Sequence, residues 1–417
     1  MSLSLTPRIE RIARAVTGRP KSLLEADLAH HATALDEAVR GARILVAGGA
    51  GTIGSATILE LVARKPAAIT VLDPSENNLA ELVRTLRSAS VPFEGELSVQ
   101  PLGYGSALAA RYLHRRPPYD LVLSFAALKH VRSERDGYSL ARMLEVNLLE
   151  ADRFLQRCRR AGHGRRGVFM VSTDKAARPV SLMGASKRAM ELLLWAYGEA
   201  GGRGSGPAFT QLSAARFANV AFSDGSLPWA FLQRIEKRQP LALPADVKRY
   251  LVSPREAGEF CLISALLAPS HTVMVPALAP GRDEFGFDRV AEATLAELGL
   301  EPRIYDDETE ARRQVDAELA AGRYPVVLTR SDTSGEKPHE EFVCAGEQAR
   351  EVGLSAVRGI AGRPGDPAAL ETLLSTVERA VADPEAEVDR GELVDALGDL
   401  VPELRHRDTG KSLDAKM

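Results

Sequence analysis

Arg43-Ile44-Leu45-Val46-Ala47 runs straight into Gly48-Gly49-Ala50-Gly51-Thr52-Ile53-Gly54. A short apolar run broken by glycines reads as a buried strand, and Ser55 to Val62 beyond it reads as a helix. Glycine allows a tight turn and close backbone approach to a ligand, and the following helix presents its N-terminus to an anion. A loop of this kind between strand and helix is the phosphate cradle of a dinucleotide-binding parallel α/β sheet, with Gly48, Gly51, Thr52, Ile53 and Gly54 as candidate cofactor contacts. A second apolar run, Ala68 to Leu72, ends at Asp73, ~20 residues past the first glycines, where a carboxylate can hydrogen-bond the adenosine ribose. Asp73 also suits a helix cap, and the two roles can coexist. A carboxylate repels a 2′-phosphate, so the expected cofactor is NAD rather than NADP.

A later strand, Gly167 to Val171, ends in Ser172-Thr173-Asp174-Lys175. Polar groups at the carboxyl end of a strand in such a sheet lie where ligands bind. Asp174 and Lys175 set an acid and a base side by side. Further on, Met183 and Lys187 stand one helical turn apart on one face. The run Tyr119 to Ala127 reads as another strand, and the small Ala126 and Ala127 at its end leave room for a cofactor.

The segments Ser172–Ala176 and Met183-Gly184-Ala185-Ser186-Lys187-Arg188 resemble the nucleotide-sugar 4,6-dehydratases of the extended short-chain dehydrogenase/reductase superfamily, in the polysaccharide biosynthesis branch that includes UDP-N-acetylglucosamine 4,6-dehydratases. Most of that superfamily has Tyr where this chain has Met183; one dehydratase branch has Met. Ala126-Ala127-Leu128-Lys129-His130-Val131 is similar to the family's nicotinamide- and sugar-lining segment, where Lys129 and His130 either bind sugar or phosphate or only shape the loop. Asn147 matches an Asn that supports the active-site Lys. Arg216-Phe217-Ala218-Asn219-Val220 departs from the family pattern at Ala218 and offers Asn219 to a diphosphate sugar. Ser226 lies in the loop that grips the diphosphate in relatives, Arg249 suits phosphate contact, and Glu341 belongs to a Gly335–Glu341 segment like the family's Gly-Glu-Lys-x-His-Glu-Glu motif.

The resemblance covers about residues 40–345 and implies a Rossmann-type doubly wound parallel sheet with a smaller α/β substrate-binding domain. The expected division is a helical extension over 1–40, an NAD-binding domain over 41–225, a substrate-binding region over 226–345, a helical region over 346–404 and a polar tail over 405–417. The stretch 306–324 reads as a charged insertion. Composition is that of a globular chain, with 417 residues and a net charge of -3, so no nucleic-acid partner is expected. Cys158, Cys261 and Cys344 have no metal-ligand spacing, and His30-His31 point to different helix faces. No metal is expected. Neither a membrane span nor a signal peptide is legible, and the cytoplasm is the simplest compartment. Apolar-faced helices around Asn147 and Lys187, which pair between subunits in related enzymes, imply a homo-oligomer.

The resemblance assigns catalysis to Thr173, Asp174, Lys175, Met183 and Lys187 on a nucleotide-sugar substrate. Hydride leaves C4, Lys175 takes the C5 proton, Asp174 protonates the departing C6 hydroxyl, and hydride returns to C6. Lys187 holds the nicotinamide ribose, Thr173 relays the proton of the 4-hydroxyl, and Met183, which cannot accept a proton, packs against a ring face. Burial is expected to outweigh the mutual attraction of Asp174 and Lys175 in the substrate complex. A 4-epimerase needs no acid–base pair at C5 and C6; a non-catalytic NAD-binding sensor needs no substrate half.

Overall fold

Short runs of β-branched and aliphatic residues form the central sheet, and glycine-punctuated amphipathic segments form the helices that cover it. The computed structural model describes residues 7–88, 92–129, 134, 136–198, 202–330, 339–382, 385 and 387–406. Helices α1 (Pro7–Thr17), α2 (Glu25–His30) and α3 (Ala32–Val39) precede β1 (Arg43–Ala47). Then come α4 (Thr52–Val62), β2 (Ala68–Leu72), α5 (Glu76–Ser88), β3 (Glu96–Gln100), α6 (Ala107–His114) and β4 (Leu121–Ser124). Helix α7 (Gly137–Leu144) passes through a π-helical turn (Glu145–Leu149) into α8 (Glu150–Ala161), followed by β5 (Gly167–Thr173), α9 (Leu182–Ala196) and β6 (Leu212–Phe217).

The second half supplies β7 (Asn219–Val220), α10 (Leu227–Glu236), β8 (Leu241–Pro244), β9 (Lys248–Val252), α11 (Pro254–Leu266) and β10 (Thr272–Pro276). Strand β11 (Glu284–Gly286), α12 (Phe287–Glu297), β12 (Glu301–Tyr305), α13 (Glu308–Ala320) and β13 (Arg323–Thr329) follow, and then β14 (Ala349–Glu351), β15 (Val357–Ala361), α14 (Pro367–Ala382) and α15 (Arg390–Leu400).

The large sheet has the order β14-β15-β10-β6-β5-β4-β1-β2-β3. From β3 to β10 every pairing is parallel, and β15 and β14 add antiparallel strands at one edge. The order reverses between β1 and β4, the crevice where a doubly wound sheet receives its ligand. Two of these strands, β14 and β15, fall inside the stretch expected to be helical from 346 onward; three- and five-residue strands carry too little periodicity to be read alone.

Two small three-stranded sheets, β11-β9-β7 and β12-β13-β8, enclose a second apolar core. Ile9, Ile12, Ala13 and Val16 of α1 belong to that core, which gives the N-terminal helix its place. The charged stretch 306–324 is integrated into the fold: it supplies α13 and the start of β13, the central strand of the β12-β13-β8 sheet, whose Tyr324 and Val326 are buried. The stretch 226–345 also feeds the large sheet, through β10 and through α11, which packs on α4. A Cβ on Gly258 would meet the Ala56 carbonyl at 2.7 Å, so this helix pair relies on glycine for its closeness.

Arg216, on β6 opposite Ser172 of β5, is fully buried. It donates to both carboxylate oxygens of Glu191 on α9, at 2.9 and 2.8 Å, to both of Glu347, at 2.6 and 3.0 Å, and to the carbonyl of Phe342 at 2.8 Å. Ser172 and Arg188 complete the surroundings of Glu191. Burial raises the Glu191 carboxyl, but Arg216 and its other partners outweigh that and hold it down at about 2. Removing one member of a buried pair strands the other's charge, at a cost of about 3–5 kcal/mol. Arg216→Met should therefore lower the urea midpoint markedly, while Arg216→Met combined with Glu191→Leu should recover part of the loss. A single variant of wild-type stability would contradict this account.

Candidate active site

Gly48 has φ +68°, and a Cβ there would lie 2.5 Å from the Ala126 nitrogen. A Cβ on Gly54 would strike the Gly48 carbonyl at 2.7 Å. Both positions thus need glycine for the protein's own packing. Gly51 differs, since its Cβ would meet nothing closer than the Gly48 carbonyl at 3.7 Å. Gly51 is the N-cap of α4 and makes no side-chain cap there, as at a helix end that receives an anion. Ala126 and Ala127 lie half-buried beside this loop, and Ile53 is half-buried against the core. Thr52 is already engaged: its hydroxyl donates to Asp224 at 3.2 Å and accepts the Asp224 N–H at 3.2 Å, tying the glycine loop to the segment before α10.

Asp73 ends β2 buried and accepts the backbone N–H groups of Ala50, at 3.1 Å, and Ser75, at 2.9 Å. Burial pushes its carboxyl up, against those two hydrogen bonds. Its structural and ligand roles are therefore compatible, because each oxygen keeps a second lone pair.

At the carboxyl end of β5 the Thr173 hydroxyl donates to Asp174 Oδ1 at 2.7 Å, and Lys175 Nζ lies 3.2 Å from the same oxygen. Asp174 is 1% exposed, and its Oδ2 is buried with no hydrogen-bond partner among the described residues. Such an atom is costly unless a ligand completes it. Lys175 Nζ also meets Glu340 Oε1 at 3.3 Å, and Arg249 Nε lies 3.6 Å from that oxygen. Burial lowers the Lys175 ammonium, but Asp174 and Glu340 overcome it and hold the group above its ordinary value. Ion pairing thus beats burial at Lys175, because a second carboxylate joins the pair.

Lys187, one turn after Met183 on α9, is 4% exposed and bonds only the Val171 carbonyl at 3.2 Å among the described residues. Burial, with Lys129 adding like charge and Glu191 opposing, brings its ammonium down to about 7. Met183 is buried, and its N–H donates to Glu134 at 2.9 Å. Asn147 does not touch Lys187. It brackets Leu128, accepting its N–H at 2.8 Å and donating to its carbonyl at 3.0 Å, and it donates to Ser186 at 2.9 Å. Asn147 thus joins the loop before Lys129 to the residue before Lys187.

The other expected substrate contacts divide. Asn219 Nδ2 is buried without a hydrogen-bond partner among the described residues, as a ligand-facing amide would be. Arg249 is buried in the Lys175 cluster. Lys129 is exposed in the loop after β4, and His130 lies outside the described residues, as does most of the Gly335–Glu341 motif. The Ser226 hydroxyl caps α10 through the Trp229 N–H at 3.3 Å. Glu341 faces outward and pairs with Arg178 at 2.8 Å, so of two adjacent glutamates it is Glu340 that reaches the cluster. Neighbours in an extended segment point to opposite sides, and nothing in the motif says which one points in.

The buried Lys187 makes a stability prediction. Its pKa is depressed from 10.5 to about 7 in the fold. The unfolded chain therefore binds a proton that the folded one does not between these limits. Relative to Lys187→Met, wild-type stability should fall as pH drops from above 10.5 toward about 7, then run parallel below it. The full gap is on the order of 3–5 kcal/mol. Urea unfolding of both proteins across this range checks it; a gap independent of pH would refute it.

Residues 44–358 match the model of a family described as polysaccharide biosynthesis protein. An uncharacterized membrane protein of Methanocaldococcus jannaschii is 28% identical over 62% of this chain and 73% of its own length. In this chain, among the described residues, no helix is long and apolar enough to cross a membrane. A UDP-N-acetylglucosamine 4,6-dehydratase (inverting) of Campylobacter jejuni is 27% identical over 53% of this chain and 63% of its own. The solved UDP-N-acetylglucosamine 4-epimerase of Methanobrevibacter ruminantium shares the fold at a TM-score of 0.52 and 14% identity, over 87% of this chain and 98% of that one. With the matched region spanning the glycine loop, the Asp174–Lys175 cluster and the Lys187 helix, the chain belongs to the polysaccharide biosynthesis protein family.

Proposed function

We propose that this protein is an NAD-dependent nucleotide-sugar 4,6-dehydratase acting on an N-acetylglucosamine nucleotide. The observation that carries the reading is the Thr173–Asp174–Lys175 cluster around the buried Asp174, whose Oδ2 is unpartnered among the described residues. The Campylobacter relative's name supports the same substrate class. A 4-epimerase would oxidise and reduce C4 alone and would leave this acid–base pair without work.

The open N-terminus of α4, the room at Gly51 and the Asp73 carboxylate fit NAD. When bound, that cofactor supplies a hydride acceptor for C4 and a hydride donor for C6. The chain's residues do the rest. Lys187 contacts the nicotinamide ribose and favours proton loss from the 4-hydroxyl, which Thr173 relays. Met183 lines the site without taking a proton.

Lys175 rests as an ammonium between Asp174 and Glu340. To act as a base it must first lose a proton, and Asp174 at 3.2 Å is positioned to receive it. A sugar that expels water favours the neutral pair over the ionic one. That transfer makes Lys175 the amine that removes the C5 proton and Asp174 the acid that protonates the departing C6 hydroxyl. After elimination Lys175 is again an ammonium and Asp174 a carboxylate; as hydride returns to C6, Lys175 gives a proton to C5, and the proton that left the 4-hydroxyl through Thr173, which bonds Asp174 at 2.7 Å, returns the pair to its resting charge.

Two outcomes test this. Asp174→Asn, which can neither take the Lys175 proton nor protonate the leaving hydroxyl, should slow both C5 exchange with solvent deuterium and product formation by ~10²–10⁴-fold. Normal turnover in that variant, or wild-type exchange in Lys175→Ala, would refute the assignment. Calorimetry should find NAD(H) bound more tightly than NADP(H), with the preference narrowed in Asp73→Ala; equal affinity in the wild type would count against the Asp73 role.

A further inference from the structure

The helices around Asn147 and Lys187 carry the apolar surface from which the sequence implies pairing with a second copy. In the folded chain that surface is not free. Leu140, Met143 and Leu144 of α7 are buried, and the two C-terminal helices cover them. Helix α14 packs on α7 and on the π-helical turn; α15 packs on α7 and α9. Leu373, Val377 and Leu397 of these helices are buried in the same core. Gly365, which leads into α14, fits between Leu400 of α15 and Leu192 of α9: a Cβ there would lie 2.8 Å from the first and 3.2 Å from the second. At the rim, Arg153 on α8 pairs with Glu378 on α14 at 2.8 Å.

Beyond α15 the chain reaches the loop that carries the acid–base pair. The Arg405 N–H donates to the Pro179 carbonyl at 2.9 Å. Glu403 lies 3.6 Å from Arg188, a residue that also contacts Glu191 of the Arg216 network. The matched family region stops at 358, before any of these elements.

We propose that α14 and α15 are an in-chain partner for the α7–α9 face, taking the place of a second copy, and that the segment after α15 braces the 174–182 loop. The burial of Leu140, Met143, Leu144 and Leu148 within one chain removes the apolar area that would drive association through this face. The site then gets its support from its own C-terminus. This inference holds whatever the reaction proves to be.

Two measurements on the full-length protein test it. The first mixes unlabelled and ¹⁵N-labelled protein, cross-links the mixture and maps the linked peptides. No inter-copy links should involve α7, α9, α14 or α15, whether the protein is a monomer or assembles through another surface. Inter-copy links among those helices, from a paired face or an exchanged C-terminus, would overturn the proposal. The second compares Arg405→Pro, which deletes the N–H donor, with Arg405→Ala, which keeps it. Hydrogen exchange in residues 176–183 should speed up roughly five- to tenfold in the proline variant only. Equal exchange in the two variants would overturn the brace.

Discussion

A guanidinium with no access to water holds the site together. Arg216 is charged, wholly buried and neutralised by Glu191 on one side and Glu347 on the other. Each contact fixes a different part of the active centre. Glu191 belongs to the helix that carries Lys187. Ser172, which also bonds Glu191, precedes Thr173 and Asp174. Glu347 and the Phe342 carbonyl anchor the segment that delivers Glu340 to Lys175. A buried ion pair is weak evidence of stability in itself, because taking charges out of water offsets much of their attraction. Here its consequence is geometric: two strands, a helix and a distant loop share one register.

The site built on this anchor gathers buried polar groups with few protein partners. Lys187 sits buried with a single carbonyl partner among the described residues, and Asp174 keeps one oxygen buried and unpartnered. Asn219 shows the same at its amide nitrogen. Asp174 and Asn219 follow the carboxyl ends of β5 and β6, where the fold offers a ligand crevice. On the proposed reading, a substrate that completes them recovers part of the cost of burying them.

Much of this was legible in the sequence for physical reasons. The glycine loop, the strand ending at Asp73 and the strand ending in Ser172–Lys175 are local signals, each set by turn geometry or by a run of apolar residues. Lys175's second carboxylate was not legible, since Glu340 lies far along the chain and its neighbour Glu341 is chemically the same. The role of Asn147 was only half legible: its side chain reaches Leu128 and Ser186 rather than the lysine, a matter of a few ångströms that sequence does not encode. The short strands β14 and β15 were missed because pairing with β10, not local pattern, makes them strands. The packing of α14 and α15 on α7 and α9 joins segments far apart in sequence, a contact no local pattern announces.

On the proposed function, one sugar undergoes oxidation at C4, elimination across C5 and C6, and reduction at C6 within this site. Substrate carrying deuterium at C4 tests it directly. Incubated with UDP-N-acetylglucosamine so labelled, the protein should release a 4-keto-6-deoxy sugar with the deuterium on C6, seen by NMR of the methyl group. Deuterium that stays on C4 in an epimerised, undehydrated sugar would contradict the account.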